Sequence, residues 1–166
     1  MKEENPLTHF NPDGRARMVS VTDKEDTLRV AVARGSISMG DETIRLVAEG
    51  GFKKGDVLGV AQIAGILGAK RTSDLIPMCH PLMLTSVDLS FEIDGNRILM
   101  ESRVALKGRT GVEMEALTAV GIAGLTIYDM CKAVDKDMVI GEIRLVYKTG
   151  GKSGTYQRQG EVINSL

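Results

Sequence analysis

The chain has 166 residues, 43% hydrophobic and 26% charged, with a formal net charge of −1. That length suits one compact domain, and the near-neutral balance gives no general attraction to nucleic acid or acidic membranes, so any polyanion site has to be a local cluster. Aromatics at 4% with no Trp remove the stacking platforms of single-strand nucleic-acid readers, and no apolar run approaches the ~20 residues that span a bilayer.

In chain order, residues 1–25 read as a polar, turn-rich arm around Asn11-Pro12-Asp13-Gly14, loosely ordered unless a partner subunit ties it down. Residues 28–39 alternate Leu28, Val30 and Val32 against Arg29, Ala31 and Ala33, the period of a half-buried strand. Asp41 to Ala48 predicts a short helix with a glycine stop at Gly50-Gly51. A second helix is expected from about Asp56 to Lys70, with Val57, Val60, Ile63, Ala64 and Leu67 on one side; Gly59, Gly65 and Gly68 weaken it unless tight packing compensates.

Leu75-Ile76-Pro77-Met78-Cys79-His80-Pro81-Leu82 then sets one of two histidines between two prolines, a stiff and non-helical place to present an imidazole. Leu84 to Ile93 alternates cleanly, Asp94-Gly95-Asn96 is a turn signal, and Arg97 to Leu106 alternates again, which predicts a β-hairpin. Thr110 and Glu113 match a capping box opening a long helix through about Val134. A last strand is expected over Val139 to Tyr147, followed by a glycine-rich tail. The order βααββαβ predicts an α+β fold, an antiparallel-rich sheet with helices on one face in ferredoxin-like order, as a single domain over residues 26–154 with a flexible tail over 155–166.

Cys79 and Cys131 are the only cysteines and lack Cys-x-x-Cys or His-x-x-x-His spacing, which argues for a reducing, cytoplasmic setting and against structural zinc. Cys131 reads as a small core residue. Cys79 and His80 are adjacent, so on an extended segment at most one faces a site, and His80 is favoured; a structural loop histidine is the plainer alternative. Glu115 and Asp129 share a face of the long helix fourteen residues apart, hence about 21 Å along its axis. They serve opposite ends of a long ligand or belong to two sites shared between neighbouring chains. Asp129 and Lys132 alone read as a surface ion pair. Lys53-Lys54, Lys70-Arg71, and Lys148 with Lys152 around Gly150-Gly151 are cationic groups suited to phosphates, or else solvated surface charge. Gly151-Lys152-Ser153 imitates the end of a P-loop, but Val146 stands where that motif needs Gly.

Four segments carry a resemblance in one order: Lys53-Lys54-Gly55-Asp56, the Leu75–Leu82 loop, Gly111-Val112-Glu113-Met114-Glu115-Ala116-Leu117, and Tyr128-Asp129-Met130-Cys131-Lys132. Over roughly residues 8–154 the chain resembles the cyclic pyranopterin monophosphate synthase family, the molybdenum cofactor biosynthesis protein C family. The resemblance implies conversion of 3′,8-cyclo-7,8-dihydro-GTP to cyclic pyranopterin monophosphate with release of pyrophosphate. It implies Asp129 as catalytic acid or base with Lys132 and Lys54; substrate contacts from Met78, Cys79, His80, Met114 and Glu115; and further contacts from Glu113, Lys148 and Arg29. It implies no metal site and no tightly bound cofactor, leaves room for Mg2+ with the triphosphate, and predicts a homohexamer, a trimer of dimers with sites at the dimer interface. Met78 where the family usually has Leu, and Ser20 where Asp is frequent, are small departures. The rival readings are a non-catalytic purine-nucleotide sensor, a structural oligomer, and a GTP cyclohydrolase, which usually employs a metal.

Overall fold

Alternating side chains draw Thr27–Ser38 (β1), Ser86–Asp94 (β2), Arg97–Gly108 (β3) and Val139–Thr149 (β4) into strands of one antiparallel sheet, with Tyr156–Gln157 (β5) at its edge. The coordinates are a computed structural model that describes residue 11 and residues 13–163; the rest of the predicted arm and the last three residues of the tail lie outside the described residues. Strand order is β2-β3-β1-β4-β5. Its first four strands have the antiparallel order of a ferredoxin-like fold, with β3 inserted between β1 and β2, so the predicted α+β class holds.

Four helices complete the described chain: Asp41–Ala48 (α1), Val57–Lys70 (α2), Thr72–Leu75 (α3) and Glu113–Cys131 (α4). Asp56 caps α2 by accepting the Gly59 N–H at 3.0 Å. α4 lies across β1, β3 and β4 while α2 packs beside it. It is long and apolar enough to cross a membrane by length and composition, but here it is the core helix, with Ala116, Ala119, Ala123 and Ile127 fully buried.

The helix layer sits close to the sheet, and this settles two points against what residue size alone suggests. On β1 it is Arg29, Ala31, Ala33 and Gly35 that face the helices, not the larger Leu28, Val30 and Val32: a Cβ on Gly35 would come 2.7 Å from Val120 Cγ1. On α2 the buried residues are Val57, Ala61, Gly65, Gly68 and Ala69, whereas Val60, Ile63 and Leu67 point outward. A Cβ on Gly65 would lie 2.9 Å from the Ala119 carbonyl oxygen, so small residues are what let the two backbones meet.

A correction concerns the start of α4. Its N-cap is Val112 and no side chain caps it, so the Thr110–Glu113 capping box does not form; Glu113 instead folds its carboxyl back over Gly111. Ser102, fully buried on β3, donates to the Ala116 carbonyl at 2.7 Å and pins the same turn to the sheet.

Candidate functional site

The last turn of α4 presents Asp129 outward, and Lys132, three residues on, reaches it with Nζ 2.6 Å from Oδ1. Lys54, delivered by the turn before α2, donates to the Asp129 carbonyl at 2.9 Å and sets its Nζ 3.8 Å from Oδ2. The hydrogen bond and charge of Lys132, helped by Lys54, hold the Asp129 carboxyl below its ordinary range, and Asp129 in turn holds the Lys132 ammonium above its own. The spacing argument for a plain surface ion pair misses this third member, which comes from 75 positions away. All three side chains remain about half exposed or more, at 49–62%.

The opposite end of α4 is built differently. Met78, Cys79, His80, Glu113, Met114 and Glu115 line a cleft of about 370 Å³ closed by Val19, Val21 and Lys24 of the arm. The His80 Nε2 lies 2.8 Å from the Val19 carbonyl oxygen, so in its donating tautomer the imidazole ties the arm over the cleft. The expectation that Cys79 and His80 diverge is not met, because the Cys79 N–H closes a turn onto the Ile76 carbonyl at 3.0 Å and the segment is not an extended strand. Glu115 is 4% exposed. Burial pushes its carboxyl up to about 7, against its own backbone N–H and with the charge of Glu113 adding to the rise. Burial, then the charge of Glu115, raises the Cys79 thiol. Cys131 is wholly buried, its thiol pushed up to about 11 by burial, and behaves as the core residue expected.

A second cleft of about 740 Å³ continues from the first through Lys24, Thr110, Gly111 and Glu113 toward Arg29, Arg109, Lys152 and Ser153. Arg29, 8% exposed, donates Nε to the Gly108 carbonyl at 3.2 Å and is wrapped by Gly150 and Gly151 at φ of 102° and 74°. A Cβ on Gly151 would fall 1.8 Å from Arg29 Nη1, so this glycine pair shapes a guanidinium cradle. Lys148 donates to Ser153 Oγ and to the Gly154 carbonyl, which places its charge inside the same loop.

The structure thus gathers the predicted residues into two groups. Asp129, Lys132 and Lys54 form one; Met78, Cys79, His80, Glu113, Met114 and Glu115 form the other, which runs on to Arg29 and the Lys148 loop. The α4 rod keeps the groups about 21 Å apart. Sequence reasoning overlooked Val19, Lys24 and Arg109, which line the clefts; nothing in their local pattern marks them. Among the described residues no three His, Cys, Asp or Glu side chains gather as a metal site.

The family model described as the MoaC family matches residues 18–151 of this chain. The chain is 62% identical over 155 residues to the cyclic pyranopterin monophosphate synthase of Thermoanaerobacter sp. (strain X514), covering 92% of this chain and 98% of that one. It is 62% identical over 157 residues to the protein of that name from Heliobacterium modesticaldum, covering 93% and 99%. It is 60% identical over 158 residues to that from Listeria welshimeri, covering 95% and 99%.

Proposed function

The chain belongs to the MoaC family, and on that footing we propose that the two ends of α4 are the two halves of one active site, joined when two copies pair. The protein is an enzyme of molybdenum cofactor biosynthesis, a lyase that converts 3′,8-cyclo-7,8-dihydro-GTP to cyclic pyranopterin monophosphate and pyrophosphate. The observation that carries the shared-site reading is the separation itself: an exposed Asp129–Lys132–Lys54 cluster stands a full helix length from a recessed cleft holding Glu115 and His80.

The chemistry divides along the same line. A ribose oxygen attacks the α-phosphorus, the bond from that phosphorus to the bridging oxygen of the β-phosphate breaks, and pyrophosphate leaves with the bonding pair. Arg29, Lys148 and the positive N-terminal end of α4 bind the triphosphate and hold it in place for that step. Rearranging purine and ribose into a pterin needs a base and an acid in contact, and Asp129, kept ionised by Lys132, is placed to accept a proton while either lysine donates one. Met78, Cys79, His80, Met114 and Glu115 hold the ring system, with Glu113 at the junction of the clefts.

The conversion involves no net redox change, so it calls for no redox cofactor. The outward row of Val60, Ile63 and Leu67 with Leu125 on α4 is apolar surface suited to a further copy, and a homohexamer, a trimer of dimers, is the assembly that the family resemblance implies. Two free cysteines suit a cytoplasmic setting.

The test incubates the purified protein with 3′,8-cyclo-7,8-dihydro-GTP, and separately with GTP, and assays pterin and pyrophosphate together. Matched products from the cyclised nucleotide alone are expected. Tight binding without product would make the chain a nucleotide sensor instead.

A further inference from the structure

Beyond the loop that wraps Arg29, the chain turns back along the sheet edge and runs over the face opposite the helices. Only Tyr156 and Gln157 pair with β4, opposite Lys148 and Tyr147. Two ladder residues hold a strand weakly. Two further ties extend the attachment: the Arg158 N–H donates to the Val146 carbonyl, and its Nε to the Leu145 carbonyl, both at 2.8 Å.

The far end is fixed by charge. Arg34 of β1 and Arg144 of β4 are direct cross-strand partners, and two like charges so placed repel. Glu101 of β3, the partner of Arg34 on its other side, meets that guanidinium at 2.6 Å. Glu161 fills the remaining gap: Oε2 lies 2.7 Å from Arg34 Nη1 and Oε1 2.5 Å from Arg144. Arg34 also donates Nη2 to the Val162 carbonyl at 2.9 Å. Glu101, Arg34, Glu161 and Arg144 thereby alternate in sign across three strands and the returning segment. The Glu161 side chain is 14% exposed, so water does little of this work.

The geometry points to Glu161 as a positioning residue for the Gly150–Gly154 loop, and through it for Arg29 and Lys148 on the opposite face. The link is covalent and short. Thr149 and Thr155 hydrogen-bond across the base of the loop at 3.0 Å, Tyr156 pairs with Lys148, and the segment anchored by Glu161 is the continuation of that strand. With the anchor gone, residues 156–163 are left with the two-residue ladder, the Arg158 ties and the Arg34–Val162 hydrogen bond, and the far end of the loop is held less firmly. Gly150, Gly151 and Gly154, all at positive φ, have no intrinsic preference to hold the cradle shape alone.

This inference rests on the assignment of Arg29 and Lys148 to substrate phosphate, and the experiment separates the two claims. Glu161→Ala and the milder Glu161→Gln are compared with the unaltered enzyme for kcat, KM and amide hydrogen exchange of residues 147–160. The expected result for Glu161→Ala is a KM raised about tenfold with kcat within about twofold, faster exchange at Tyr156 and Arg158, and a smaller change of the same kind for Glu161→Gln. Faster exchange with an unchanged KM would overturn the positioning role, and so would unchanged exchange. Absence of turnover in the unaltered enzyme would count against the reaction assignment, while the exchange measurement would still decide whether Glu161 anchors the loop.

Discussion

Replacing Glu115 by Gln should stabilise the protein at alkaline pH and leave it nearly unchanged under mildly acidic conditions. The carboxyl is buried, and its pKa rises from 4.5 to about 7. The sign follows from proton counting. Between those two values the folded chain keeps a proton that the unfolded chain releases, so stability falls as pH rises through the window and levels off above about 7. Full ionisation would cost about 3.4 kcal/mol at about 1.4 kcal/mol per pH unit. The carboxyl borders an open cleft, and screening by its water lowers this to about half in the weaker limit. Between pH 5 and pH 8 the gap between Glu115→Gln and the unaltered protein should therefore widen by about 1 to 2.5 kcal/mol, or about 3 to 8 °C in Tm for a chain of this size. Groups titrating equally in both proteins cancel in the difference. Thermal scans at one fixed protein concentration, so that any oligomer is populated equally, make the measurement. A Tm gap that stays flat from pH 5 to pH 8 would refute the reasoning and place the Glu115 carboxyl in contact with bulk water.

Lys132→Ala should fold normally, because an ion pair this exposed adds little to stability, and should lose about a hundredfold or more in kcat; steady-state turnover within threefold of normal would take Lys132 out of the mechanism. Gly65→Ala should cost about 1 to 3 kcal/mol, since its Cβ would meet Leu89 at 2.5 Å and the Ala119 carbonyl at 2.9 Å. Gly121→Ala on α4, with nothing within 4 Å of the new Cβ, should instead be neutral or gain up to about 1 kcal/mol in urea unfolding.

The β2–β3 hairpin was legible because its alternation is unbroken and Asp94-Gly95-Asn96 marks its turn; the structure pairs Val87 with Val104 and Asp94 with Arg97 as that pattern requires. Alternation on β1 was equally clear, but which side faced inward was not. Size favours Leu28, Val30 and Val32 as the helix-facing side, and only the close approach of α4 explains why Ala31 and Ala33 take that place while Val32 is buried on the other face. The same approach inverted α2. The Thr110–Glu113 pattern misled because Glu113 has a competing place over Gly111 at the cleft. At the site, the Asp129–Lys132 spacing and the proline-bounded loop could be read locally. The Lys54 contact and the Glu161 anchor could not, since each joins elements whose neighbourhood exists only after the sheet has assembled.

On the shared-site reading proposed above, the two ends of α4 suit different tasks, and neither suffices alone. A proton-transfer cluster open to water gains little from its charges, because the effective dielectric around it stays high. A recessed cleft with a protonatable acid and a neighbouring arginine binds well but lacks the lysine pair. Bringing the exposed end of one copy against the recessed end of another covers the first and completes the second. Two damaged chains should then repair each other. Lys132→Ala spoils one end and His80→Ala the other. A hybrid dimer of the two holds one site with both lesions and one with neither. When the two variants are co-expressed and assemble at random, half the dimers are hybrids, so about a quarter of all sites should be intact and turnover should recover to about a quarter of normal. Mixed assemblies no more active than either variant alone would place both ends of each site within one chain, and the separation along α4 would then have to be spanned by the substrate itself.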